Sequence, residues 1–115
     1  MDAIQASARF PKIEATHLVE FKQLAADALD SARGESGTLQ YDWFFSADDS
    51  QCVVRETYRD SEAVLAHLGN VAPLLGRMID LGGGIELEVF GSPSAALREA
   101  FADLQPSIYA HAQGK

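Results

Sequence analysis

Glu56, Tyr58 and His67 bring three proton-handling groups into one short stretch of the chain, behind an aromatic run that holds Tyr41, Trp43 and Phe45. A carboxylate, a phenol and an imidazole are the usual parts of a general acid–base site. Converging among aromatic rings, they would form the polar centre of a small-molecule pocket. Each also has a plainer role. A single His on an apolar helix face is more often a satisfied core residue. Glu56 could simply hydrogen-bond Tyr41 or backbone amides, and the aromatics could be ordinary core. Which role applies depends on the elements that carry these residues and on the face each side chain takes.

The alternation over 38–46 and 51–59 predicts two strands joined by the turn "ADDS". If Ser46 lies opposite Gln51, then Phe45 opposes Cys52, Trp43 opposes Val54, Tyr41 opposes Glu56 and Leu39 opposes Tyr58. Side chains alternate between faces, so all eight of those residues share one face. It is the more apolar face and is expected to meet the helices. The other carries Asp42 and Arg55 as a cross-strand ion pair, with Phe44 and Val53 beside them. Glu56 thus points into an aromatic interior. Burial there would push its pKa up, and a hydroxyl or cationic neighbour would pull it down.

Around this hairpin, residues 3–10 alternate as a first strand that Pro11 stops. Thr16 is placed to cap a helix whose apolar residues recur from Leu18 to Ala32, and Gly34 and Gly37 then open a turn. Asp60 or Ser61 caps a second helix that presents Val64, His67, Leu68 and Val71 on one side. Asn70 is expected to close it, and Pro73 to begin a third helix carrying Leu74, Leu75, Met78 and Ile79. Three glycines at 82–84 lead to a strand over 85–91. A short helix from Pro93 through Phe101 precedes a tail from about 104 to 115. The glycines follow a helix and precede a strand, the reverse of a phosphate-binding loop. The predicted order contains β-α-β-β-α-β, the ferredoxin-like pattern, an α+β fold with an antiparallel four-stranded sheet and helices on one face. Its open face, with Phe44 and Val53, is expected to pack against a second copy.

Composition narrows the class. With 115 residues, one domain is expected, and 47% hydrophobic content fits a globular chain. A net charge of −8 argues against nucleic acid or an anionic membrane as a partner. Cys52 is the sole cysteine, which excludes an internal disulfide framework and suits a reducing cytoplasm. His17, His67 and His111 lack metal-site spacing, so no metal is expected. The N-terminus lacks a basic segment followed by a long apolar run, so no signal peptide or membrane span is expected.

The lead into the hairpin at Gly37, Thr38 and Leu39, then Tyr41, Glu56, Tyr58, "SEAVLAHL" with His67, and the later "LEVFGSPSAALREAF" carry a family likeness. From about Ala6 to about Phe101 the chain resembles the antibiotic biosynthesis monooxygenase family, in particular its small stand-alone quinol monooxygenase subgroup. The resemblance implies a ferredoxin-like protomer, a homodimer whose two sheets form an α+β barrel, and a pocket between sheet and helices. It also implies oxidation of a quinol or related phenolic compound by dioxygen without a prosthetic group. On that reading His67 or Glu56 would be the base or its partner, Tyr41 and Tyr58 would orient the substrate oxygen, and Trp43 would be a stacking wall. Haem-degrading members carry an Asn on the first strand, a Trp on the second helix and an axial His. Here the Trp position is His67, the axial position falls near Arg77, and the first strand has no Asn, so haem is not expected. The alternatives are an isomerase using the same Glu and His, or a dimeric binding or stress module without catalysis.

Overall fold

The computed structural model describes residues 2–115. Five strands and three helices run in the order β1 (Ile4–Phe10), α1 (Leu18–Arg33), β2 (Thr38–Phe45), β3 (Cys52–Tyr58), α2 (Ser61–Leu81), β4 (Glu86–Phe90), α3 (Ala95–Ala100) and β5 (Ser107–Tyr109). The sheet order is β2-β3-β1-β4-β5. The first four strands pair antiparallel, as the ferredoxin-like pattern requires, and β5 adds a parallel strand beyond β4. The sheet is therefore mixed and five-stranded. The tail expected from about 104 contains this extra strand, whose Ile108 packs on the core beside Leu104. Three residues are too few for alternation to announce them.

The hairpin register agrees with the sequence at Phe45/Cys52, Trp43/Val54 and Tyr41/Glu56. It departs at the far end. A bulge between Thr38 and Gln40 sets Thr38 opposite Tyr58 and turns Leu39 out to solvent, 63% exposed. One extra residue changes the face of everything before it, which is why strict alternation misplaced Leu39. Asp42 and Arg55 are cross-strand neighbours, yet Asp42 accepts instead from Gln40 Nε2 at 3.0 Å.

Two further differences concern helix ends. Thr16 does not cap α1; a 3-10 turn over Ala15–His17 leads in, and the cap residue His17 offers no side-chain bond. The second and third helices expected around Asn70 and Pro73 are one helix, with Pro73 inside it. An interior proline costs about 3 kcal/mol. The apolar face continues unbroken through Val64, His67, Val71, Met78 and Leu81, all buried, and that packing outweighs the lost backbone bond. Asp60 caps the helix start, accepting from the Ala63 amide at 2.9 Å.

The helices cover one sheet face, as Cys52, Val54 and Tyr58 on β3 are all buried there. Two hydrophobic clusters fill the interface. One gathers Phe10, Phe21, Val54 and Met78, with Trp43 and Tyr41 packed against it. The other gathers Ile4, Tyr58, Val64, Leu97 and Phe101. Leu87 packs against both. No helix among the described residues is long and apolar enough to cross a membrane.

Candidate active site

His67 stands at the seam between the two clusters and is the one polar residue that is fully buried, at 3% exposure, among those described. Its ring meets Tyr41 edge-on at 4.7 Å between centroids and lies 5.4 Å from the Tyr58 ring. β2 and β3 supply these phenols from adjacent strands, and the helical spacing of α2 turns His67 down onto them. Glu56 lies opposite Tyr41 on β3. The Tyr58 hydroxyl donates a short hydrogen bond to Glu56 Oε1. Four of the five residues picked out in the sequence thus come together. Trp43 does not join them: it stacks parallel to Phe10 at 6.4 Å and meets Tyr41 edge-on, one layer away from the cavity. Its buried indole N–H has no hydrogen-bond partner.

A residue absent from the sequence reading completes the arrangement. His67 Nδ1 lies 2.9 Å from Oε1 of Glu35, and both side chains are almost wholly buried, at 4% and 7% exposure. Thr38 Oγ1 donates to the same carboxylate oxygen at 2.6 Å, and Asn70 Nδ2 donates to Oε2 at 2.9 Å. Asn70, expected only to end a helix, sits one turn along α2 from His67 and clamps the carboxylate that holds the imidazole. The turn after α1 places Glu35. Its amide bonds the Ala32 carbonyl at 3.0 Å, and Gly37 lets α2 approach so closely that a Cβ there would stand 2.5 Å from that of Ala63.

The two carboxyls around His67 are tuned in opposite directions. Burial pushes Glu35 up, but the bonds from Thr38, Asn70 and His67 together outweigh it and hold the carboxyl below the usual carboxylate range. Burial pushes Glu56 up as well, and the Tyr58 hydroxyl and His67 offset this only in part, so Glu56 stays protonated to higher pH than an ordinary glutamate. Burial, then the nearby Glu56 charge, raises both Tyr41 and Tyr58, which keep their phenolic protons. Burial alone lifts the Cys52 thiol to about 12, so it is an inert packing group.

Glu35 accepts from a proton on Nδ1, and in the neutral imidazole that tautomer leaves the lone pair on Nε2. No described residue hydrogen-bonds Nε2. Two small cavities flank the imidazole, of about 60 and 40 Å³, and Glu56, His67, Leu68 and Leu87 line both. Tyr41 borders the first and Tyr58 the second. The arrangement is a carboxylate-oriented imidazole facing a second carboxyl whose protonated form burial favours, in an apolar enclosure. No group of three or more potential metal ligands occurs among the described residues. Arg77, near the position that an axial His holds in haem-degrading relatives, instead grips Glu20 with two bonds of 2.8 and 2.9 Å.

A sequence model described as "Antibiotic biosynthesis monooxygenase" matches residues 5–72, more than half of the chain, including every residue of the His67 arrangement. The chain belongs to the antibiotic biosynthesis monooxygenase family. No curated protein sequence matches it. Among solved structures, it is similar along 99% of its length to MupZ from Pseudomonas fluorescens, with 28% identity, a TM-score of 0.85 and 88% of that chain covered. Rv0793 from Mycobacterium tuberculosis matches 82% of this chain and 98% of its own, at 23% identity and a TM-score of 0.70. SnoaB, a cofactor-independent oxygenase from Streptomyces nogalater, matches 83% of this chain and 97% of its own, at 18% identity and a TM-score of 0.67. The last two establish kinship of fold alone. Within the matched span, His67 and Glu35 form a buried imidazole–carboxylate pair.

Proposed function

We propose that this protein is a cofactor-independent monooxygenase that oxidises a quinol or related phenolic molecule with dioxygen. The observation that carries this reading is the Glu35–His67 pair, which leaves Nε2 as a base beside an apolar cavity. Family membership and the similarity to an oxygenase that works without a cofactor support it. Nε2 of His67 takes the phenolic proton, and Glu35 stabilises the imidazolium that forms. The electron-rich anion gives one electron to dioxygen, and the resulting radical pair joins at a ring carbon as a peroxide. Loss of water, with the proton returned from the site, leaves a carbonyl: a hydroquinone plus dioxygen becomes a hydroxyquinone plus water. The substrate anion supplies all the electrons. The protonated Glu56 and the Tyr41 hydroxyl donate hydrogen bonds to the developing oxyanions, and the Tyr58 hydroxyl, which donates to Glu56 Oε1, holds that carboxyl in place.

The opposition of a base and a neutral acid also supports a second reading, proton transfer between two carbons of an acidic substrate, an isomerase without oxygen. Dioxygen uptake separates the two. The expected result is uptake with hydroquinones or naphthohydroquinones above a protein-free blank, lost in a His67→Ala, Glu56→Gln double variant. No uptake, together with exchange of a substrate C–H with deuterated water, would establish the isomerase instead.

In this reading the protein works as a homodimer in the cytoplasm. The open sheet face supports the first point, with Phe44, Phe90 and Tyr109 substantially exposed on it or at its edge. The lone, buried Cys52 is consistent with the second.

A further inference from the structure

The two cavities that flank His67 differ in depth. Only the first, of about 60 Å³, is bounded by Leu75, Ile85 and Leu104, which are partly exposed, so it lies close under the surface. The second, of about 40 Å³, lies deeper. Ile4, Ala6, Val64, Val89 and Phe101 wall it, and none of them is more than 8% exposed. That inner wall is carbon almost throughout. Of its three polar residues, Tyr58 and Glu56 are bonded to each other, and His67 is bonded to Glu35 through Nδ1. One water-sized sphere takes about 10–15 Å³, so the inner cavity has room for a diatomic molecule. A phenol ring does not fit: benzene enters apolar cavities of about 150 Å³.

We infer that the inner cavity is a dioxygen site and that the phenolic ring enters the outer cavity, which can widen towards the surface. This rests on the reading of the protein as an oxygenase. The chemistry of the wall selects the ligand. A water molecule there would need two to four polar partners, and the polar groups present are largely committed to one another. An ion would be buried without a counter-charge. Dioxygen is small, uncharged and apolar, and gives up no strong hydrogen bonds on leaving water. Glu56, His67, Leu68 and Leu87 line both cavities, so gas and ring meet at the acid and the imidazole. Dioxygen held there before Nε2 takes the phenolic proton turns electron transfer from a diffusive encounter into a step within one site.

β1 offers a matched pair of probes. Ala6 and Ala8 lie two residues apart on its buried face, and Ala6 lines only the inner cavity while Ala8 lines only the outer one. With hydroquinone saturating, Ala6→Val is expected to lower kcat/KM for dioxygen several-fold and to leave the hydroquinone KM close to its natural value. Ala8→Val is expected to raise the hydroquinone KM and to spare kcat/KM for dioxygen. The reverse pattern, or the same changes in both variants, would overturn the assignment. Xenon, a heavy apolar gas, reads the cavity without turnover. Crystals of the natural protein under xenon pressure are expected to show an atom among Ile4, Val64, Val89 and Phe101, lost in Ala6→Val and kept in Ala8→Val. Xenon confined to the outer cavity, or bound in neither, would overturn the inner site. Xenon bound as expected, without oxygen uptake on any hydroquinone, would sink the oxygenase reading and the assignment to dioxygen with it, leaving a cavity for apolar gas alone.

Discussion

Glu35 and Glu56 approach the same imidazole, and the protein treats them in opposite ways. Glu35 accepts three hydrogen bonds, from a hydroxyl, an amide and His67, so burial does not prevent its ionisation. Glu56 has one side-chain donor, the Tyr58 hydroxyl, and burial dominates. Residue type did not decide the two states; the count of donors did. A site that needs both a base and an acid can therefore draw them from one kind of side chain.

The comparison breaks most visibly at Glu35. Glu35→Gln is expected to lower the rate of the proton-transfer step by ~10²–10⁴-fold, because an amide neither fixes the tautomer nor stabilises the imidazolium. Steady-state kinetics of the oxygen-dependent reaction measure this. The same variant is expected to lose about 1–3 kcal/mol of stability at neutral pH. Glu35 has a lowered folded pKa, so its contribution is present above the unfolded value of 4.5 and fades as pH falls through the folded pKa. Denaturant midpoints of the two proteins should accordingly converge in acid.

Glu56→Gln should behave with the opposite sign. A raised folded pKa means that the protonated form is favoured in the fold, a contribution complete below 4.5 and lost as pH rises through the folded pKa. The natural protein should therefore lose stability relative to Glu56→Gln on going from pH 4 towards pH 8, as unfolding curves at several pH values would record. If both variants shift with pH in the same direction, the assignment of one acid and one carboxylate is wrong.

Gly37→Ala sharpens the comparison structurally, since its new methyl would press on Ala63 and push α2 from the Glu35 turn. A loss of about 1–3 kcal/mol is expected from thermal or denaturant unfolding. The smallest effect is expected at Trp43→Phe. That indole N–H is buried without a partner and lies outside the cavity, so its removal should change stability by less than about 1 kcal/mol and leave KM unchanged.

The hairpin was legible because two independent signals, the turn and the alternation, agree on one register; only the bulge at Leu39 hid from them. The helix-covered face followed directly, and with it the meeting of Tyr41, Glu56, Tyr58 and His67. Glu35 was not legible. It lies between two glycines in a turn, where no periodicity reports which way a side chain points, and two of its three partners, His67 and Asn70, come from a helix 32 and 35 residues away. A hint was present: His67 and Asn70 are polar residues one helical turn apart beside an apolar stripe, a pattern that asks for a shared partner. Pro73 misled for the opposite reason. A strong local rule for ending helices was overridden by tertiary packing that local sequence does not display.

The central claim is that Glu35 holds His67 with its proton on Nδ1 and its lone pair on Nε2. Nitrogen-15 NMR of the imidazole ring tests it most directly. The expected spectrum of the neutral ring has a protonated Nδ1 and an unprotonated Nε2, with that preference lost in Glu35→Gln. A proton resident on Nε2 in the natural protein, or a tautomer indifferent to Glu35→Gln, would contradict it.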